Sequence, residues 1–263
     1  MTKPQQNPEA GWFGNRKVDE KEKTRLVEDV FSSVATRYDL MNDLMSGGLH
    51  RLWKRKFLQL VHPRPDHALL DLAGGTGDIA IRYLEKTGRR ASVTVCDLSK
   101  DMLEEGRARA IDRGILSEIE WVEGNAEKLP FKKDSFDSCT IAFGLRNVAR
   151  IDTALKQIHR VLKPGGRFYC LEFSRVVVPV LDKLYEKYSD HVIPRLGEWV
   201  AKDAESYRYL VESIRKFPDQ ENLKSRIAAA GFAHARFRNM SGGIVAIHSG
   251  IKPAAPAAKE SKT

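Results

Sequence analysis

The sequence predicts an α/β fold built around a parallel sheet. Short apolar runs alternate with helical segments from Ala68 onward, and the first of these runs leads into a glycine-rich turn. Strands that alternate with helices are joined by crossovers, and such crossovers connect parallel strands. With 263 residues, the chain suits one large domain with insertions better than two independent cores.

Two amphipathic helices are expected before the sheet. Between residues 21 and 37, apolar side chains from Val27 to Val34 follow the spacing of one helical stripe. A second helix is predicted from about Leu49 to Val61, where the run HPRP at residues 62–65 stops it. Residues 1–19 mix Pro, Gln, Asn and Gly without periodicity, so a loose N-terminus is expected.

Parallel strands followed by a hairpin account for most of the remaining apolar runs. The hairpin is predicted from two runs at residues 233–240 and 244–249, which the turn Ser241-Gly242-Gly243 separates. The predicted parallel strands are residues 68–72, 92–97, 120–123, 138–143 and 167–173.

Capping residues mark the predicted helices between these strands. Ser99 is the expected N-cap of a helix that ends near Arg113, and Asp152 that of a helix that stops before Pro164. Residues 175–217 are long, helical and rich in aromatics, so we expect an inserted helical cap over the sheet. A last helix is predicted near residues 222–230, and residues 252–263 are expected to form a disordered tail.

The turn after the first strand, DLAGGTGD at residues 71–78, is typical of a cofactor site. Its glycines, Gly74, Gly75 and Gly77, let the backbone turn sharply and approach a ligand. The turn also fits the dinucleotide fingerprint, because Asp97 lies where that fingerprint places an acid for the ribose. A nicotinamide cofactor is therefore one interpretation.

The acid that begins this turn favours a different cofactor, S-adenosylmethionine. A carboxylate at Asp71 would repel a pyrophosphate, whereas it would attract the amino group of the methyl donor. Ligands of open α/β sheets bind outside the carboxyl ends of the strands. We therefore expect Asp97 to accept hydrogen bonds from a ribose diol, and Asn125 and Ala126 to meet the adenine edge.

Composition narrows the class of protein. No apolar run approaches the length of about 18 residues that spans a bilayer, and the N-terminus lacks the regions of a signal peptide. Cys96, Cys139 and Cys170 lie far apart within apolar stretches, so they are interpreted as buried hydrophobes rather than metal ligands. The net charge of +9 suggests an anionic partner, either nucleic acid or a phospholipid surface.

The densest basic run is HRLWKRKF at residues 50–57, which has aromatics among cations. It is consistent with a solvated helix face or with a segment that faces a membrane or the substrate. A nucleic-acid binding protein is disfavoured, because no basic array with stacking aromatics extends beyond this run and no nucleic-acid module is recognisable.

Two long segments resemble the signatures of a known family. Residues 38–53, YDLMNDLMSGGLHRLW, are similar to the first signature of the quinone C-methyltransferases of ubiquinone and menaquinone biosynthesis, and residues 160–174, RVLKPGGRFYCLEFS, to the second. The resemblance covers about residues 25 to 250 and leaves both ends outside.

This resemblance implies the class I S-adenosylmethionine-dependent methyltransferase fold, a Rossmann-like sheet of seven strands whose last strand runs antiparallel. Residues 20–251 would form this domain, with residues 20–66 as a helical segment that contacts the substrate. Some family members carry Ser in place of Ala142, so that side-chain contact is not transferred to this chain. The predicted cofactor-binding residues are Asp71, Gly74, Gly75, Thr76, Gly77, Asp97, Asn125 and Ala126.

The implied reaction methylates a ring carbon of a prenylated quinol, either a polyprenyl-methoxy-benzoquinol, demethylmenaquinol, or both. The candidates for the catalytic work are Arg146, His50, Asn147 and Tyr38. Arg146 is slightly preferred over His50, because a residue beside the end of the fourth strand should face the transferring methyl group. His50 is the more direct base, and Asn147 and Tyr38 can orient the ring.

A substrate that resides in the bilayer also indicates where in the cell the protein acts. We expect a cytoplasmic protein that binds the inner face of the plasma membrane peripherally through its basic surface. The resemblance leaves open whether the protein binds other quinone-biosynthesis enzymes or further copies of itself.

Overall fold

In the computed structural model, which describes residues 12–13, 16–19, 22–23, 25–27, 30, 43, 46–177 and 204–254, the main sheet has seven strands. A short antiparallel pair precedes it, formed by β1 (Trp12–Phe13) and β2 (Arg16–Lys17). The strands of the main sheet are β3 (Ala68–Leu72), β4 (Ser92–Asp97), β5 (Ile119–Glu123), β6 (Phe136–Ala142), β7 (Leu162–Phe173), β8 (Ala233–Met240) and β9 (Val245–Ile251).

The main sheet has the order β5-β4-β3-β6-β7-β9-β8. Strands β3 to β7 pair in parallel, and β9 runs antiparallel to both of its neighbours. This confirms the predicted fold class, including the antiparallel last strand. The chain leaves β3 towards β4 on one side and later returns to β6 on the other, so a crevice is expected at the carboxyl end of β3.

Helices cover both faces of this sheet. The described helices are α1 (His50–Val61), α2 (Asp78–Lys86), α3 (Lys100–Asp112), α4 (Ile151–Val161), α5 (Ala204–Lys216) and α6 (Gln220–Ala229). Short 3₁₀ turns lie at Leu145–Asn147 and Ser241–Gly243, the second of them at the predicted hairpin turn.

One of the two predicted caps is confirmed and the other is wrong. The Ser99 hydroxyl accepts a hydrogen bond from the Met102 N–H at the start of α3, as predicted. Asp152 lies in the first turn of α4 rather than at its N-cap, because the helix already begins at Ile151; its carboxylate is paired with Arg226 of α6 at 2.7 Å. The N-cap of α6 is Asp219, which the sequence interpretation missed.

Two apolar layers sandwich the sheet. Leu69 of β3 faces the layer that includes α1 and α2, whereas Leu70 and Leu72 face the layer that includes α4 and α6. The three cysteines are free and buried, in line with their interpretation as small core residues. Because side chains alternate along a strand, Asp71 lies on the same face as Leu69, beneath α1 and α2.

The ends of the chain carry more structure than the sequence predicts. The expected loose N-terminus contains the β1–β2 pair. Lys252, assigned to the tail, is anchored, since its ammonium group lies 2.6 Å from Asp134 Oδ1 and 2.7 Å from the Leu162 carbonyl oxygen. Of the predicted first helix, residues 22–23, 25–27 and 30 are described and are helical.

Several predictions lie outside the described residues. These are Tyr38, most of the first helix, residues 178–203 of the predicted cap and the tail from residue 255. Among the residues that are described, no helix combines the length and the apolar character needed to cross a membrane.

Candidate active site

A cavity of about 790 Å³, including its solvent-open part, lies at the carboxyl ends of β3, β4, β5 and β6. Its wall is partly apolar, with Leu72, Leu98, Met102 and Phe143, and partly polar, with Asp97, Asn125, Glu127 and Asn147. Gly75 and Ala126 supply backbone to the same wall. The structure therefore brings together residues that the sequence places after four different strands.

Asp97 links two of these strand ends. Its Oδ2 accepts a hydrogen bond from the Gly75 N–H at 2.8 Å, and its Oδ1 accepts one from the Ser99 N–H at 2.9 Å. Burial raises the pKa of this carboxyl, while the N–H donors oppose that rise. Each carboxylate oxygen has further acceptor capacity, so Asp97 can still receive hydroxyl groups of a bound ribose.

The glycine-rich turn depends on glycine for two separate reasons. Gly75 and Gly77 have φ angles of 54° and 72°, in the region that side chains disfavour. A Cβ at Gly77 would also lie 2.6 Å from the Trp121 ring, and one at Gly74 would lie 2.9 Å from Val95. Gly75 lines the cavity, whereas Gly74, Thr76 and Gly77 shape the turn from outside its wall.

Two residues without this freedom adopt similar angles at the same place. Ala73 and Phe143 each follow a strand, line the cavity and have φ angles of 49° and 60°. Such angles are uncommon for residues with a Cβ, and they concentrate at functional sites.

Asp71 lies under the turn rather than in the wall of the cavity. Its carboxylate accepts hydrogen bonds from the Thr140 hydroxyl at 2.8 Å and from the Ala80 N–H of α2 at 3.2 Å. Burial raises the pKa of Asp71 to about 7, although both hydrogen bonds act in the other direction. The contacts thus tie the turn to α2 and β6, and any effect of Asp71 on a cofactor passes through the turn.

Asn125 and Ala126 lie on the wall where the sequence interpretation expects the adenine. The Asn125 Oδ1 accepts a hydrogen bond from the Glu127 N–H at 2.8 Å, which fixes the bend of this loop. Glu127 is held in turn by Arg150, whose Nε lies 2.6 Å from Glu127 Oε2. The loop therefore has a fixed shape on the side of the cavity next to β5.

Arg146 is buried against Glu172 and does not belong to the cavity wall. Its Nη1 lies 2.8 Å from Glu172 Oε1, and its backbone N–H donates to Glu172 Oε2 at 3.3 Å. The guanidinium also lies 5.5 Å from the centre of the Phe173 ring. The expected orientation of Arg146 towards the transferring methyl group is thus not the one observed.

The neighbouring Asn147 does line the cavity. Its Oδ1 accepts a hydrogen bond from the Tyr209 hydroxyl of α5 at 3.1 Å. Burial raises the pKa of Tyr209, so this hydroxyl stays protonated and keeps its role as donor. Of the predicted catalytic residues that the structure describes, Asn147 is the one on the wall.

His50 is buried at the start of α1, outside the wall. Its Nδ1 lies 3.0 Å from the Ser46 hydroxyl and 3.5 Å from Asp43 Oδ1. These contacts lie within the first signature segment, to which His50 itself belongs.

Comparison with known sequences identifies the family. The profile of the ubiE/COQ5 methyltransferase family matches residues 17–252. The chain belongs to this family. A relative from Brucella abortus (strain S19), named ubiquinone/menaquinone biosynthesis C-methyltransferase UbiE, is 56% identical over 242 residues, which cover 91% of this chain and 90% of the relative. A relative of the same name from Brucella anthropi is 55% identical over 91% of this chain and 92% of its own length.

Solved structures of other methyltransferases resemble this chain in fold. A SAM-dependent methyltransferase from Thermotoga maritima has a TM-score of 0.59 and 22% identity, covering 86% of this chain and 99% of its own. Another from Aquifex aeolicus has a TM-score of 0.57 and 14% identity, covering 76% and 89%. The family membership confirms the predicted methyltransferase activity with S-adenosylmethionine as cofactor and decides against the nicotinamide alternative.

The cavity of this methyltransferase suits that cofactor. Asp97 offers acceptors for a ribose, Leu98 and Met102 offer an apolar surface, and Asn125 and Ala126 present polar groups at its edge. The sequence interpretation missed Glu172 and Tyr209. A carboxylate inside the apolar run FYCLEF could have indicated a buried ion pair, whereas no local signal pairs Tyr209 with Asn147.

Proposed function

We propose that this methyltransferase transfers a methyl group from S-adenosylmethionine to a ring carbon of a prenylated quinol in ubiquinone biosynthesis, menaquinone biosynthesis, or both. The observation that carries the proposal is the convergence of Gly75, Asp97, Asn125, Ala126 and Asn147 on one cavity. The names of the two Brucella relatives support the same activity.

The donor is assigned to the side of the cavity formed by β3, β4 and β5. Asp97 binds the ribose hydroxyls, Asn125 and Ala126 meet the adenine, and Gly75 brings its backbone close to the ligand. Gly74, Thr76 and Gly77 hold the turn in shape, and Asp71 fastens the turn to α2. When bound, the donor supplies an electrophilic methyl group, and the protein aligns the acceptor carbon with it.

The acceptor needs activation as well as alignment. A phenol with a pKa near 10 is about 4 kcal/mol from ionisation at pH 7, and the ring carbon becomes strongly nucleophilic only after that ionisation. Hydrogen-bond donors or positive charge near the ring oxygen lower this cost.

We assign these tasks to the predicted catalytic set. Asn147 donates from its amide to the ring oxygen, and Tyr209 holds that amide in place. Arg146, held by its ion pair with Glu172, fixes the turn that carries Asn147. His50 is the proposed base; because it is buried outside the cavity wall, we assign the hydroxyl proton to it through an intervening water rather than by direct contact. Tyr38 orients the ring.

The prenyl tail requires an apolar path, which we assign to the segment after β7 and to α5. Val176 packs against the core, and Val177 is 58% exposed. Because such a tail keeps the substrate in a bilayer, we also propose that the protein is cytoplasmic and binds the inner face of the plasma membrane. Contacts with other quinone-biosynthesis enzymes and self-association belong to the same proposal.

Deletion of the gene in its host tests this function. The quinones that accumulate should lack one ring methyl group, and the ring that lacks it distinguishes the benzoquinol from the naphthoquinol. Re-expression of the wild type should restore the methylated quinone, whereas an Asp97→Ala variant should not. An unchanged quinone pool in the deletion strain would contradict the proposal.

A further inference from the structure

Helix α1 has an apolar buried face and an exposed face that is also partly apolar. Trp53, Phe57, Leu58 and Val61 are buried in the domain core. On the opposite side, Leu52 and Leu60 are 45% and 39% exposed, and Leu49, just before the helix, is 42% exposed. These leucines recur at helical spacing, so they form one stripe along the outside of the helix.

Cations flank this stripe. Arg55 and Lys56 are exposed on the same side of α1. Arg51 is also exposed, with 66% of its side chain accessible, and its guanidinium is paired with Asp43 at 2.6 Å. Long basic side chains beside apolar ones are typical of a helix that lies in the plane of a membrane surface. We define the α1 outer face by Leu49, Leu52, Arg55, Lys56 and Leu60.

The inner face of the same helix contacts the cavity wall. The Trp53 ring packs against Phe143, with ring centres 6.3 Å apart, and Phe143 lines the cavity. Trp53 Nε1 also donates a hydrogen bond to the Ser241 hydroxyl at 2.8 Å, which fixes the helix on the domain. A helix with its side chains is about 10 Å thick. A surface that touched the α1 outer face would therefore lie close to the cavity.

The size of the α1 outer face favours lipid over protein. A stable interface between two proteins buries about 800 Å² on each partner, which three half-exposed leucines and two cations do not provide. A bilayer needs no matching shape, since leucines enter the acyl boundary while the cations meet anionic headgroups. The net charge of +9 adds a longer-range attraction to the same surface.

We propose that the α1 outer face is the surface by which this protein docks on an anionic lipid bilayer. Docking there sets the cavity beside the membrane, so that a prenylated ring reaches it while the tail stays in lipid. The role of this docking in catalysis rests on the proposed quinol substrate, whereas vesicle binding is measured independently of methyl transfer.

The test compares two variants of the full-length protein. In the first, Leu49→Gln, Leu52→Gln and Leu60→Gln are combined; in the second, Leu116→Gln alters a leucine that is 77% exposed on the turn between α3 and β5. Co-sedimentation with phosphatidylglycerol vesicles at low salt should fall about tenfold or more for the triple variant and stay at the wild-type level for Leu116→Gln. Circular dichroism confirms that both variants are folded.

A charge variant separates the electrostatic contribution. Arg55→Gln with Lys56→Gln should weaken binding to anionic vesicles by about fivefold for each charge removed. Lys132→Gln, at an exposed lysine on the loop before β6, is its control. If the binding of the double variant to anionic vesicles no longer depends on salt concentration, the proposal is supported. Equal binding of the wild type to neutral phosphatidylcholine vesicles would overturn its electrostatic part.

Activity measurements distinguish docking from catalysis. The triple leucine variant should keep its rate on a short-tailed soluble quinol within about twofold and lose it on a long-tailed quinol in vesicles. Wild-type vesicle binding that survives the triple substitution would overturn the docking proposal. Failure of the wild type to methylate the soluble quinol, with vesicle binding intact, would instead contradict the proposed function and leave the docking surface supported.

Discussion

The Glu172 carboxylate holds Arg146 at two points, the guanidinium Nη1 at 2.8 Å and the backbone N–H at 3.3 Å. Both side chains are buried, so this ion pair lies in a medium that screens it poorly. It ties the 3₁₀ turn Leu145–Asn147 to the end of β7. The position of Asn147 on the cavity wall therefore depends on a carboxylate that does not itself reach the cavity.

Removal of that carboxylate charge should be costly. Glu172→Gln keeps the shape but leaves the Arg146 charge buried without its counter-ion, which typically costs about 3 kcal/mol or more of unfolding free energy. Glu221→Gln, which alters the exposed pair with Lys224, should cost less than about 1 kcal/mol. Urea denaturation of both variants measures the difference. Equal losses would show that the Arg146–Glu172 pair is not a principal anchor.

Tyr209 should affect the methylation of the quinol but not the affinity for S-adenosylmethionine. Tyr209→Phe removes the hydroxyl that donates to Asn147 Oδ1, so kcat/KM for the quinol should fall about five- to tenfold. The dissociation constant of S-adenosylmethionine should stay unchanged. Tyr169→Phe, at a tyrosine that lines a different cavity, is the control. A loss of donor affinity equal to the loss of kcat/KM would contradict a role through Asn147.

Asp97 should control the affinity for the donor. Asp97→Ala removes the acceptors that remain for ribose and also the bond to the Gly75 N–H, so we expect the dissociation constant to rise about 10- to 100-fold. Asp101→Ala changes an exposed carboxylate in the first turn of α3 and should leave binding intact. Isothermal titration with S-adenosylmethionine and with NAD makes the comparison. Tight NAD binding by the wild type would reverse the cofactor assignment.

His248 should make the protein sensitive to acid. Burial lowers the pKa of His248 to about 4, whereas an unfolded imidazole takes its proton near pH 6.5. Between these values the unfolded state binds more protons, so the free energy of unfolding falls as the pH falls, by up to about 3 kcal/mol. Asp71 opposes this trend, because its raised pKa of about 7 lets the folded state keep a proton as the pH drops below neutrality.

A variant isolates the histidine contribution from that of Asp71. The difference in unfolding free energy between the wild type and His248→Gln should change by about 3 kcal/mol between pH 6.5 and pH 4, with the wild type losing more. His234→Gln, at an exposed histidine of β8, is the matched control. Parallel pH profiles for wild type and His248→Gln would refute the assignment.

Local features of the sequence predicted most of the fold. The bounds of β3 and β4 agree with prediction, because each is a short apolar run with turn residues at its ends. The Ser99 cap also agrees, since its bond spans three residues. The predicted Asp152 cap is wrong because α4 begins at Ile151, which places Asp152 inside the helix, where its carboxylate pairs with Arg226.

Long-range pairing limited prediction of the site. Asp97, Asn125 and Asn147 follow successive strands, so the parallel topology alone brings them together. By contrast, the orientation of Arg146 depends on its ion pair with Glu172. Lys54 is also buried in an ion pair, with its Nζ 2.9 Å from Asp78 Oδ2. Lys54 and Arg82 hold the pKa of Asp78 at about 2 although burial alone would raise it. Ion-pair partners this far apart along the chain cannot be assigned from the spacing of residues in the sequence.

The position of the transferred methyl group decides whether this protein is a C-methyltransferase of quinols. Purified protein is incubated with S-adenosylmethionine that carries an isotopic label in its methyl group and with a short-tailed demethylated quinol, and the product is analysed by nuclear magnetic resonance. We expect the label on a ring carbon, and we expect Asp97→Ala to lower its incorporation about 10- to 100-fold at donor concentrations well below the wild-type dissociation constant. Label on a ring oxygen, or no labelled quinol from the wild type, would contradict this assignment.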